Sequence, residues 1–238
     1  MAGGDHPGAG HRGRLRDKFL AHGLVKFTDD EVLELLLTLA TPRRDCKLPA
    51  RSLMQEFGSL AAVLEAEPRE LQRVKGVGPV NILGLKLVPA VARRYLEDRM
   101  TAGVRYSLAD AADYLAMTMR PLGREVFRAM FLDGGRRCMA IEDIAQGTVD
   151  QTVIYPREVA GRALAVGASA VVCAHNHPSG DPTPSRYDLA NTRAMYLACR
   201  AVGVELLDHV IVAERGMQSL AADGLMRSLA AEADELGL

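Results

Sequence analysis

Up to about residue 100, apolar positions recur at helical spacing. Thr28-Asp-Asp-Glu31 is a capping box and opens an apolar helical run that ends at Ala40. A second helix is predicted over Ala50–Phe57, closed by Gly58, with short ones over Ser59–Ala66 and Pro68–Val74. After the tight sequence Val74-Lys-Gly-Val-Gly-Pro79, a long helical pattern runs from Val80 to about Asp98, where Pro89 should kink or interrupt it. Beyond residue 100 the period changes. Ser107-Leu-Ala-Asp110 caps a helix ended by Pro121 and Gly123, and Glu125–Leu132 then alternates as a strand. Asp133-Gly-Gly135 predicts a hairpin turn into a strand over Arg137–Ala145, and residues 147–155 add a third. A helix over Arg157–Val166, a buried strand over Ser169–Ala174, a helix over Ser185–Val202 and a last core strand over Val204–Ala213 complete the pattern. The class is α+β: an all-helical N-terminal domain, then a mixed sheet with flanking helices. The divisions expected are a flexible N-terminus (1–10), a helical domain (11–100), a second domain (101–228) and a C-terminal tail (229–238).

The chemistry concentrates after the buried strand, in His175-Asn-His177-Pro-Ser-Gly-Asp-Pro-Thr-Pro-Ser185-Arg-Tyr-Asp188. Residues i and i+2 of an extended chain point to one side, about 6–7 Å apart at Cα. His175 and His177 can therefore converge on one ion. The tract 178–184 holds three prolines and a glycine and must be a loop, which returns the chain so that Asp188 supplies a third ligand. Two imidazoles and a carboxylate suit zinc and leave a coordination position open, the mark of a catalytic site; iron and manganese also accept such ligands. Ser185-Arg-Tyr-Asp188 equally reads as a capping box for the helix that follows.

The spacing His-x-His, seven residues, Ser, two residues, Asp resembles the JAMM (MPN/JAB) metalloprotease signature. The longer string Ala174–Ser185, with Tyr155–Val159, Gly147-Thr148 and Leu206–Ile211, resembles its RadC-type branch. The resemblance covers nearly the whole chain after residue 11. It implies the cytidine-deaminase-like MPN fold for the second domain, one Zn2+ per chain held by His175, His177 and Asp188, and hydrolysis of a peptide or isopeptide bond. In that family a glutamate at the start of the strand after the first catalytic-domain helix holds the reacting water, a position that falls on Glu125. It shares strand parity with Phe127, Ala129 and Phe131, a costly place for an unpaired acid. Glu142 and Glu158 are alternatives. Ser185 is the candidate oxyanion donor. Asp208 and His209 are candidates to orient a ligand histidine from behind, and Arg157 is either a substrate contact or a surface cation.

The hairpin Val74–Pro79 looks like a helix-hairpin-helix motif, whose glycines turn the backbone tightly and aim N–H groups at phosphate. Lys75, Gly76, Gly78 and Lys86 are the candidate DNA contacts; a tight packing turn is the simpler alternative. The formal net charge is −1, which gives no global pull toward nucleic acid; residues 1–100 carry 16 basic against 13 acidic side chains and the remainder 13 against 17. Cys46, Cys138, Cys173 and Cys199 form no Cys-x-x-Cys pair, which excludes a zinc ribbon and fits reduced thiols in a cytoplasm. Cys173 shares parity with His175 but reads as a core thiol. His6, His11 and His22 have no partner pattern. No leader or membrane span is visible. Three functional classes follow: a zinc hydrolase with a helical accessory domain acting on a protein or peptide, a DNA-binding or repair-associated scaffold with a non-catalytic metal domain, and a metal-dependent nuclease.

Overall fold

A computed structural model describes residues 9–41, 44–103, 105–147 and 154–237. The strand expected over 147–155 and the expected N-terminal tail fall almost wholly outside them. The chain forms two compact units that divide at Ala92/Arg93.

The first unit is helical: α1 (Ala9–His22), α2 (Asp29–Ala40), α3 (Lys47–Phe57), α4 (Leu60–Glu65), α5 (Pro68–Leu71) and the first half of α6 (Pro79–Thr101). Its core gathers Leu33, Leu37, Ala50, Leu53, Val63, Leu71 and Leu85. The Thr28 capping box opens α2 as expected. Three expectations need correction. Helix α1 was not anticipated, because Gly10, Gly13 and a largely polar stretch hide its one buried residue, Leu15. His11 was read as partnerless, yet its Nε2 lies 3.1 Å from the carboxylate of buried Glu34. Pro89 does not interrupt α6; Leu85, whose carbonyl that ring crowds, and Pro89 itself are both buried, so packing holds this face through the missing bond.

The second unit holds α7 (Leu108–Met119), β1 (Val126–Leu132), β2 (Cys138–Gln146), α8 (Pro156–Val166), β3 (Ala170–His177), α9 (Arg186–Ala201), β4 (Glu205–Ala213), β5 (Gly216–Ser219) and α10 (Leu225–Glu235). The sheet order is β2-β1-β3-β4-β5, with β3 and β4 parallel and the other pairs antiparallel. One face packs Phe127, Phe131, Val171 and Cys173 against α8, α9 and α10. The opposite face packs Met130, Leu132, Val172 and Val210 against α7. Val204–Ala213 is therefore not the last strand: β5 adds an edge, and α10 follows with Leu229 and Ala233 buried. The β1–β2 turn spans residues 133–137, and in it Asp133 Oδ1 accepts from the amides of Gly135 (2.8 Å) and Arg137 (2.9 Å). Arg136, not a glycine, takes the left-handed position at φ +64°.

Two features set up the site. A parallel pair needs a crossover, and α9 supplies it, so its N-terminus returns over the C-terminal end of β3. A bulge interrupts the β3–β4 ladder, where Val171 and Val172 face Leu206 and Asp208 and leave Leu207 as the extra residue. Beyond it the facing of β4 is inverted: His209 pairs with Cys173 and shares its side of the sheet.

Candidate metal centre

The two histidines are the final ligand-bearing turn of the pleat at the end of β3, both on the α9 side. Their Nε2 atoms are 2.9 Å apart. Asp188, one turn into α9, brings Oδ1 to 3.3 Å from His175 Nε2 and Oδ2 to 3.5 Å from His177 Nε2. Donors about 2.0–2.1 Å from a tetrahedral ion stand about 3.3 Å from one another, so the set fits a zinc-sized cation without rearrangement. Among the described residues this is the group of three or more His, Cys, Asp or Glu side chains whose ligand atoms converge. It could hold a metal ion.

The electrostatics agree. Burial alone would raise the Asp188 pKa, but hydrogen bonds with His175, His177 and Ser185 outweigh it and hold the carboxyl well below the usual range. The His177 pKa is raised, chiefly by its hydrogen bond to Asp188, against the opposing effect of burial. His177 Nδ1 meets the Asp181 carbonyl at 2.8 Å. That carbonyl only accepts, so the ring proton sits on Nδ1 and Nε2 is left for a cation.

Ser185 caps α9: Asp188 N donates to its Oγ (3.1 Å), while its own N and Oγ donate to Asp188 Oδ2 at 2.7 and 2.6 Å. The capping box and the ligand set are thus one structure, and Asp188 serves both. Glu125 lies in the half-buried residue just before β1. Extending the antiparallel register from Phe127–His175 puts it opposite His177, whose charged form it favours electrostatically. Glu142 is elsewhere engaged: Arg162 donates two hydrogen bonds of 2.6 Å to its carboxylate, which lowers its pKa. Glu158 is exposed on the first turn of α8, and Arg157 lies over the Tyr155 ring, 4.5 Å from the centroid. Cys173 is fully buried below His175, with its pKa pushed well up by burial.

The two acidic and basic neighbours on β4 part company at the bulge. His209 Nε2 reaches His175 Nδ1 at 2.8 Å, and burial drives the His209 pKa well below the ordinary value. Asp208, expected beside it, points to the other face. There it accepts from the His209 amide, the Ser219 hydroxyl and the Ala221 amide, at 2.7, 2.6 and 2.9 Å. Parity counted from buried Leu206 would have chosen Asp208; the extra Leu207 reverses the choice.

Two residues escaped the sequence reading. Asn176, between the histidines and 1% exposed, accepts from the Val126 amide at 2.8 Å and donates to the Leu122 and Arg124 carbonyls at 3.2 and 3.0 Å. It ties the segment carrying Glu125 to the strand carrying the histidines. Thr192, fully buried one turn beyond Asp188, contacts His209 Nδ1 at 2.6 Å. The signal available for both was a polar residue at a position where the pattern demands burial.

The hairpin candidates lie in the first unit. Lys86 Nζ donates to the Leu64 and Ala66 carbonyls at 2.7 and 2.9 Å, capping the end of α4, and the Gly78 amide donates to Asn81 Oδ1 at 3.0 Å. Gly76 has φ +90°, and a Cβ there would lie 2.7 Å from Pro49 Cγ. Lys75 is exposed.

A family model described as the RadC-like JAB domain matches residues 106–225, and one described as the UPF0758 N-terminal domain matches residues 10–83. The chain belongs to the RadC family of JAB-domain proteins. A UPF0758 protein of Ruegeria pomeroyi is 43% identical over 217 residues, covering 91% of this chain and 97% of the relative. Another, of Rhodobacter capsulatus, is 43% identical over 213 residues, covering 89% and 100%. The JAB match spans the candidate site residues from Glu125 to His209. No helix among the described residues is long and apolar enough to cross a membrane.

Proposed function

We propose that this protein is a zinc-dependent hydrolase of peptide or isopeptide bonds. The observation that carries the reading is the convergence of His175 Nε2, His177 Nε2 and the Asp188 carboxylate at the spacing of three zinc ligands. Zinc, when bound, supplies a lowered pKa for the attacking water and polarisation of the scissile carbonyl. Glu125, across from His177, takes the proton of that water and passes it to the departing amine. Ser185 Oγ, whose single proton the Asp188 carboxylate takes at 2.6 Å, would turn that proton to the developing oxyanion once the carboxylate is engaged by the ion. The peptide-bond preference comes from the resemblance to JAMM metalloproteases.

The test is elemental analysis of the folded protein beside His175→Ala and Asp188→Ala. The expected result is about one zinc per chain, lost in both variants, with Glu125→Gln keeping the metal and losing turnover in a screen of peptide and isopeptide substrates. A carefully prepared, folded wild type without stoichiometric metal overturns the proposal. The helix-hairpin-helix reading, with a DNA partner, draws less support: Lys86 and the Gly78 amide are internally engaged, and Gly76 is required by its packing on Pro49. Lys75 remains as its exposed cation.

A further inference from the structure

We infer that Thr192 and His209 are positioning residues that fix the ring tautomer of His175, leaving its Nε2 as a lone pair facing the metal position. The inference rests on the metal reading of the site and follows from counting protons along one buried chain of contacts.

The chain begins at a group that can only accept. Thr192 Oγ1 lies 2.6 Å from the Asp188 main-chain carbonyl oxygen. Two oxygens this close need a hydrogen between them, and only the hydroxyl has one to give. Thr192 Oγ1 also lies 2.6 Å from His209 Nδ1. With its single proton committed, the hydroxyl must accept there, so His209 Nδ1 carries hydrogen.

His209 is 1% exposed, and its two ring nitrogens meet Thr192 and His175, neither of them a carboxylate. A buried imidazolium without a counter-charge is costly. The ring therefore holds one proton, on Nδ1, and its Nε2 is an acceptor. His175 Nδ1 sits 2.8 Å from that Nε2 and must donate. Whenever the His175 ring holds a single proton, as a metal ligand must, that proton is on Nδ1, and Nε2 is the lone pair facing His177 Nε2 and Asp188.

The direction of every bond is thus set from α9 through β4 to β3. One hydroxyl, one turn beyond Asp188, ties the backbone of one ligand to the ring of another. His177 is set independently, by the Asp181 carbonyl. The Leu207 bulge is what aims His209 into this chain.

The variant that isolates the device is Thr192→Val, which keeps the shape of the side chain and removes the hydroxyl. The His209 Nδ1 proton then faces an apolar group and moves to Nε2, where it donates to His175 Nδ1. His175 is forced to the Nε2–H form, with hydrogen where the ligand lone pair should be. Two readouts apply to the full-length protein. Two-bond proton–nitrogen correlation spectra of 15N-histidine-labelled, metal-free protein, above the imidazole titration range, report each tautomer directly. Zinc affinity is read by competition with a chromogenic chelator.

Wild type is expected to show Nδ1–H for His175 and His209. Thr192→Val should show Nε2–H for both and bind zinc about 10–100-fold more weakly. Thr192→Ser, which restores the hydroxyl, should return both readouts toward wild type. An Nε2–H His175 in wild type overturns the inference, as does a Thr192→Val protein with unchanged tautomers. Should wild type show the expected tautomers and bind no zinc, the hydrolase proposal fails while the proton chain stands.

Discussion

Replacing Asn176 with alanine should cost about 3–4 kcal/mol and loosen the segment that carries Glu125. The side chain makes three hydrogen bonds to main-chain groups on the approach to β1. The Val126 amide is buried and has no other route to a partner once β1 begins, so its loss is worth about 2 kcal/mol. The Leu122 and Arg124 carbonyls are only part-buried and can take water, so each adds about 0.5–1 kcal/mol. Urea denaturation followed by circular dichroism gives the global change. Hydrogen exchange at the Val126 amide gives the local one, and should accelerate even under native conditions. Asn176→Asp supplies a sign test. Its carboxylate can still accept from Val126, but the second oxygen faces two carbonyls at about 3 Å, which favours the protonated acid. Its folded pKa is then raised above the ordinary 3.9, so stability is regained as pH falls. An Asn176→Ala protein within about 0.5 kcal/mol of wild type, with Val126 still protected, would falsify the tie between the two strands.

Gly76→Ala should destabilise the first unit by at least about 1–2 kcal/mol, because φ is +90° and the added carbon meets the rigid Pro49 ring; an unchanged melting curve would contradict that packing. Lys86→Met should lower stability by about 1–2 kcal/mol through loss of two bonds to the end of α4, and an effect on DNA retention alone would point to a nucleic-acid contact instead. For the metal-free protein, the raised His177 pKa contributes stability fully present below about 6.5 and lost as pH rises through the folded value. The lowered Asp188 pKa contributes stability present above about 3.9 and lost as pH falls through its folded value. Without zinc the melting temperature should therefore fall as pH rises from about 6.5 through the folded His177 value, and with zinc it should not; parallel profiles with and without zinc would contradict a shared site. Chelation of loaded protein should lower the melting temperature most above pH 7, by an amount set by the logarithm of free zinc over its dissociation constant.

The local signals in the chain were strong where they involved caps and alternation. Thr28, Ser59, Ser107 and Ser185 each sit where a hydroxyl must accept from the third amide of a helix, and each does. The candidate metal site was legible because His175, His177 and Asp188 lie within fourteen residues, on a strand end and a helix start joined by a proline-filled loop. What was hidden depends on long-range pairing. Helix α1 owes its place to Leu15 and to the His11–Glu34 contact, neither visible in a stretch interrupted by Gly10 and Gly13. Lys86 looked like a free cation because the carbonyls it caps are 20 and 22 residues earlier. Asn176 looked like a spacer between two histidines because its partners are about fifty residues away.

The Leu207 bulge carries a further consequence, in the arithmetic of insertion and deletion. A strand has only two phases, and one residue more or fewer exchanges them. Deleting Leu207 would remove only the bulge and leave Asp208 opposite Val172 and His209 opposite Cys173. Were Leu207 instead to pair with Val172 in an unbroken ladder, Asp208 would stand opposite Cys173 and His209 opposite Ala174. The imidazole behind His175 would be exchanged for a carboxylate, with no change of sequence. The bulge thus selects one of two registers of the same strand, one that backs the candidate metal site with a neutral ring and one that backs it with a negative charge.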